Sequence, residues 1–160
     1  MGDIPLKISR ANLQLMKECP RCFWLQMNER VQRPRGIFPS LPGGMDLVIK
    51  GYFNGYRGSL PPELEGKVEG VLVDDMKLLN SWRNWRTGLE YVDRERDAIL
   101  SGALDDCLVK EEKTGPISQK TYIPLDYKTR GFPPQKGASE LYYEHQLDAY
   151  TFLLDENGYR

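Results

Sequence analysis

Asp126-Tyr127-Lys128 sets an acid and an amine two residues apart, inside a stretch from Thr121 to Lys128 that reads as a strand. Side chains alternate faces along a strand, so Pro124, Asp126 and Lys128 share one face, and Ile123, Leu125 and Tyr127 share the other. A carboxylate can hold a hard cation through oxygen, and a lysine beside it can steady a water or a developing oxyanion. The same pair also fits a solvated ion pair on an edge strand. A second acidic position lies upstream. The apolar run Ile99 to Val109 is broken by Asp105 and Asp106. A carboxylate in a strand built for burial is costly unless it is paired, hydrogen-bonded or metal-bound. Alternation puts Asp105 on the face of Ala103, Cys107 and Val109, and Asp106 on the face of Leu104 and Leu108. Periodicity does not choose between the two acids. Downstream, Gln146 and Tyr150 are four residues apart and share a helix face.

These residues need elements to hold them. Gly102 lies inside the first apolar run, where a glycine marks a bulge or a close backbone approach. The turn Glu111 to Gly115 predicts a hairpin joining Ile99–Val109 to Ile117–Thr129 through a moderately long loop. Two adjacent strands, each with an inward acid, would then make one cation site. The last helix is predicted to start at Ser139 or Glu140, with Tyr143, Leu147, Tyr150 and Leu154 on its apolar stripe and Asn157-Gly158 as its stop.

Read together, Gly102-Ala103-Leu104-Asp105, then Asp126-Tyr127-Lys128-Thr129, then Gln146 with Tyr150, the chain resembles the PD-(D/E)XK nuclease superfamily. Within it the likeness is to RecB-type nuclease domains and the CRISPR-adaptation nucleases related to them. Their pattern is G-x-x-D, then (D/E)-x-K, often written D-Y-K-T, then Q-x-x-x-Y on a helix. The likeness is close over Ser101 to Tyr150 and loose elsewhere. It implies an α/β fold with a restriction-endonuclease-like core: a small mixed sheet with a central antiparallel hairpin, flanked by helices, as a single domain over residues 1–160. It selects Asp105 over Asp106. It implies a metal-dependent deoxyribonuclease acting in DNA repair, recombination or defence. Asp105, Asp126 and the Tyr127 carbonyl would hold Mg²⁺ or Mn²⁺, Lys128 would stabilise charge, and Gln146 and Tyr150 would brace the lysine or the phosphate. Related nucleases carry a histidine at the start of an earlier helix. The nearest equivalent here is Asp46, a further oxygen donor for the cation. The expected partner is DNA, single strands included, with a larger nuclease or helicase assembly as a setting. Related domains continue into a further strand, so the likeness implies a short version or a piece of a longer chain. The rival class is a non-catalytic nucleic-acid-binding or assembly module on the same fold, since fold does not fix function.

The remaining segments frame this site. A chain of 160 residues that is 40% apolar can build one real core. With 22 basic and 23 acidic residues, any nucleic-acid contact must come from a local patch. Arg130 and Lys136, in the Pro-rich loop that follows the site, are the first candidates for phosphate contact. No apolar run approaches a membrane span, and no leader-like segment opens the chain, so a cytoplasmic location without membrane contact is expected.

Ser9 is a predicted N-cap for a helix over Arg10 to Asn28, kinked or restarted at Pro20. Cys19 and Cys22 lie within it. A closed zinc or iron–sulfur site normally takes four ligands, and the only other cysteine is Cys107. Packed thiols are therefore expected rather than a cluster. Val31 to Gly44 reads as loop, Met45 to Tyr56 as helix, Gly58 to Val71 as a Pro/Gly-rich insertion, Asp74 to Arg86 as helix, and Leu89 to Ala98 as the first strand. Trp82, Arg83, Trp85 and Arg86 are read as core tryptophans and surface arginines. Stacking on bases with phosphate contact is the alternative for them.

Overall fold

The computed structural model describes residues 5–34, 40–114, 117–129 and 137–160. Arg130 and Lys136 lie outside them. The architecture is mixed α/β. The first strand is β1 (Leu6–Ser9). Ser9 then caps α1 (Arg10–Glu18): its hydroxyl accepts from the Asn12 N–H, and the Asn12 side chain accepts from the Ser9 N–H. Such reciprocal capping satisfies donors that the first turn leaves open. The helix expected over Arg10 to Asn28 restarts at Pro20, one of the two outcomes expected there, and so is two helices. Cys19 ends α1 in an extended conformation and caps α2 (Pro20–Asn28), with Pro20 in its first turn. Proline lacks the N–H that would continue α1, yet it suits a helix start.

Helix α3 (Ser40–Asn54) begins earlier than the sequence suggests, taking in Gly43 and Gly44. Turns from Gly55 onward lead to the short strand β2 (Val71–Leu72). Asp75 caps α4 (Met76–Arg83). The strand expected over Leu89 to Ala98 is instead a hairpin of β3 (Leu89–Asp93) and β4 (Ala98–Gly102). Its turn puts Asp97 at a positive φ of 47°. Then come β5 (Asp106–Thr114), β6 (Ile117–Leu125) and α5 (Ala138–Glu156). Asn157 and Gly158, the latter at φ 84°, end α5 as the sequence indicates.

The described strands form two three-stranded sheets, where one small sheet was expected. In the first, β4 pairs in parallel with β1 and antiparallel with β3. In the second, β5 pairs antiparallel with both β2 and β6. The run Ile99–Val109 is not one strand. Residues 103–105 leave the ladder, so β4 ends in one sheet and β5 begins in the other. Pairing of β5 with β6 runs from Asp106↔Leu125 to Thr114↔Ile117, which shortens the loop expected at Glu111–Gly115.

The core forms where α4 and α5 meet these strands. Leu79, Trp82, Leu104, Cys107, Leu153 and Leu154 are buried in one cluster. Burying such side chains contributes roughly 1.5–3 kcal/mol each before entropy. The Leu104 N–H donates to the Trp82 carbonyl at 3.0 Å, which pins the sheet-to-sheet crossing against α4. Gly102 fits at that crossing because α5 presses on it. A Cβ there would lie 2.7 Å from Leu153 Cδ1 and 3.1 Å from Tyr150 Cε1.

Candidate active site

Asp126 and Lys128 stand just past the end of β6, in an extended segment rather than in the ladder. The alternation nevertheless continues. Asp126 and Lys128 form a direct ion pair on one side. Tyr127 turns to the other, where its ring packs on Phe53 of α3 with centroids 4.8 Å apart. The Asp126 side chain is only 8% exposed. Burial pushes its carboxyl above the usual carboxylate range; Lys128 works against this, and the neighbouring Asp105 carboxylate, within hydrogen-bonding reach, adds to it. Lys128 also lies over the Tyr143 ring of α5, 5.1 Å from the centroid.

Asp105 reaches the same spot from the crossing between the sheets. Its Oδ2 accepts from the Tyr127 backbone N–H at 3.3 Å, and its Oδ1 pairs with Lys50 Nζ at 3.0 Å. The same ammonium pairs with Asp46 at 2.9 Å. Burial alone would lower the Lys50 ammonium, but the two acids outweigh it and hold it above its ordinary value. Asp46 is thus joined to Asp105 through a lysine. Lys50 escaped the sequence reading, though its i, i+4 spacing from Asp46 on α3 was a signal for it.

From α5, Gln146 Nε2 donates to Asp126 Oδ1 and, at 3.2 Å, reaches the Tyr150 hydroxyl. Its Oε1 accepts from Arg10 Nη2 on α1. Gln146 and Tyr150 are both buried. A glutamine explained by no apolar stripe is explained by this bridge, since a buried amide needs partners for both its ends. Arg10 is another residue the sequence reading missed. Ser9 fixes where α1 begins, and so fixes the arginine beside it.

Asp106, the acid not selected, has a different surrounding. It is fully buried. Arg57 meets it with two nitrogens, at 2.6 and 2.5 Å, and Arg83 Nη2 lies at 3.1 Å. The Tyr127 hydroxyl also donates to it, and the Cys107 N–H does so at 2.8 Å. Burial pushes this carboxyl up, but Arg57, Tyr127 and the Cys107 N–H outweigh that and hold it below the usual range. Arg83 Nε meanwhile donates to the Asp105 carbonyl at 2.7 Å. The arginines expected on the surface therefore divide. Arg83 is drawn inward by Asp106, and Arg86 stays outside. The tryptophans divide too: Trp82 is core, while Trp85 is 75% exposed.

No family model, no curated protein and no solved structure matches this chain. Two carboxylates, from Asp105 and Asp126, meet at one point beside the Tyr127 backbone. Among the described residues, no group of three or more His, Cys, Asp or Glu side chains gathers to hold a metal ion. A closed structural site is thus not built there. Two carboxylates do suit Mg²⁺ or Mn²⁺, because such ions keep several waters and take further oxygens from a substrate phosphate. The donor set fits, although Lys50 and Lys128 already pair with these acids. At the other end of the chain, Cys19 and Cys22 are half-buried free thiols, and Cys107 is a buried one.

Proposed function

We propose that this protein is a metal-dependent nuclease of the PD-(D/E)XK type, hydrolysing DNA phosphodiester bonds. One observation carries the reading. Asp105, Asp126, Lys128 and Gln146 come from three separate parts of the chain and converge on one point. Asp105 and Asp126, with the Tyr127 carbonyl, would hold the cation. When bound, the ion would supply positive charge against the phosphate and make an attacking water easier to deprotonate. Lys128 orients that water and neutralises charge that develops on the phosphate oxygens. Gln146, itself held by Arg10, fixes the rotamer of Asp126. Tyr150 closes the apolar side of the site. The Asp106–Arg57–Arg83 cluster holds Tyr127 by its hydroxyl and Asp105 by its carbonyl, so the donors stay aligned without touching the reaction.

A non-catalytic binding module is the second reading. It is favoured by the pairing of each acid with an ammonium, Asp105 with Lys50 and Asp126 with Lys128, which needs no metal. Incubation with labelled single- and double-stranded DNA separates the two readings. Cleavage in Mn²⁺ or Mg²⁺ that EDTA abolishes is the expected result. Binding without cleavage under every cation selects the module.

A further inference from the structure

A groove of about 650 Å³ is lined by residues of β1, α1, the turn after α4, the end of β4 and the middle of α5. Gln146, which donates to Asp126, and Tyr150 line it from α5, and Gly102 and Ala103 line it from the end of β4. Lys7, Arg10, Trp85 and Arg86 line the rest. Trp85 sits on the turn between α4 and β3. That turn is tied by the Thr87 N–H to the Asn84 carbonyl at 3.2 Å and by the Arg86 N–H to Asn84 Oδ1 at 2.9 Å. The indole is therefore presented from a defined turn while remaining largely exposed. Arg86 lies over it, 4.9 Å from the ring centroid. Deeper in, Arg10 gives one nitrogen to Gln146, and its Nε–H is buried without a hydrogen-bond partner. Lys7 pairs with Glu90 at the rim.

We propose that this groove is a binding subsite for a single-stranded polynucleotide, with a base stacked on Trp85 and backbone phosphates along Arg86 and Arg10. Three features point to this ligand. An aromatic face combined with cations is the usual device for holding single strands, because every base has a π-face and every nucleotide a charge. A duplex keeps its bases stacked on one another and has no free face to offer Trp85. Gln146 both lines the groove and bonds Asp126, so a strand lying in it comes up to the Asp126 site. That last point rests on the nuclease reading; the binding itself does not.

The test uses the full chain in EDTA, where no metal-dependent cleavage occurs. Fluorescence anisotropy is followed with labelled oligothymidylate, oligouridylate and a duplex of the same length. The wild type is compared with Trp85→Ala, Trp85→Phe and Arg86→Gln, each checked by circular dichroism. Trp85→Ala should weaken single-strand binding on the order of 5- to 150-fold, the range for one lost base–aromatic stack, and Trp85→Phe should restore part of it. Arg86→Gln should weaken binding and reduce the salt slope by about 0.7, as expected for one lost phosphate contact. Trp85-dependent binding of either single strand supports the subsite, and the two arms tell deoxyribose from ribose. No single-strand binding, binding indifferent to Trp85, or tighter binding of the duplex overturns it. Cleavage in Mn²⁺ by Trp85→Ala with unchanged KM would overturn the subsite while leaving the nuclease reading intact. Trp85-dependent binding without cleavage by the wild type would do the reverse.

Discussion

Adjacent aspartates in this chain have opposite surroundings. Asp106 is sealed among two arginines, a tyrosine hydroxyl and a backbone N–H, whereas Asp105 keeps a quarter of its side chain exposed and faces Asp126. Asp106→Asn would leave Arg57 and Arg83 buried beside a neutral amide. Breaking a buried pair from one side costs about 3–5 kcal/mol. Urea denaturation at neutral pH should show a loss of that size. The sign with pH follows from the depressed carboxyl. Its contribution is fully present above the ordinary value of 3.8 and is lost as pH falls through the lower folded-state value. The gap between wild type and variant should therefore narrow in acid, and a gap that widened there would be inconsistent with an ionised Asp106.

Lys50 gives a second prediction at this scale. Its ammonium pairs with the Asp105 oxygen that a cation would need. Such an ion pair is worth about 0.2–1 kcal/mol, so Lys50→Met should tighten Mn²⁺ binding by up to about fivefold in calorimetry. Asp105→Asn should weaken it. Equal affinity in all three proteins would place the cation elsewhere.

At the scale of elements, the decisive contact is between α5 and the end of β4. The glycine of Gly102-Ala103-Leu104-Asp105 and the tyrosine four residues after Gln146 touch, so two motifs far apart in sequence form one joint. Gly102→Ala would force Tyr150 and Leu153 outward, at a cost of about 1–3 kcal/mol for overpacking. Gln146 would move with the helix and release Asp126. Thermal denaturation should show the loss, and Mn²⁺ affinity should fall with it. A variant as stable as the wild type would mean that α5 can shift without penalty. Local signals foretold several of these elements. The Ser9 cap, the break at Pro20, the Asn157-Gly158 stop and the alternation of Asp126, Tyr127 and Lys128 are written in short stretches of sequence. The split of Ile99–Val109 between two sheets was not. An apolar run with acids in its middle looks like one interrupted strand, and only tertiary contacts, α5 on Gly102 and the Leu104 N–H on the Trp82 carbonyl, mark the interruption as a crossing. The partners of Asp106 were equally hidden, because Arg57 and Arg83 are held to it by tertiary contacts with no sequence spacing of their own.

Across the whole molecule, near-neutral charge conceals an uneven distribution. Lys7, Arg10 and Arg86 line one groove, and Gln146, which lines it too, bonds Asp126 beside Asp105. On the proposed reading these parts form one path, from an exposed indole to a pair of carboxylates, with Lys128 as the catalytic group beside them. The most direct measurement is the rate of DNA cleavage by the wild type and by Lys128→Ala in saturating Mn²⁺, with circular dichroism to confirm that both are folded. Deleting one electrostatic donor of this kind should cost on the order of 100-fold or more in rate, while the oxygen ligands still hold the cation. A folded Lys128→Ala protein that cuts DNA as fast as the wild type would contradict the account.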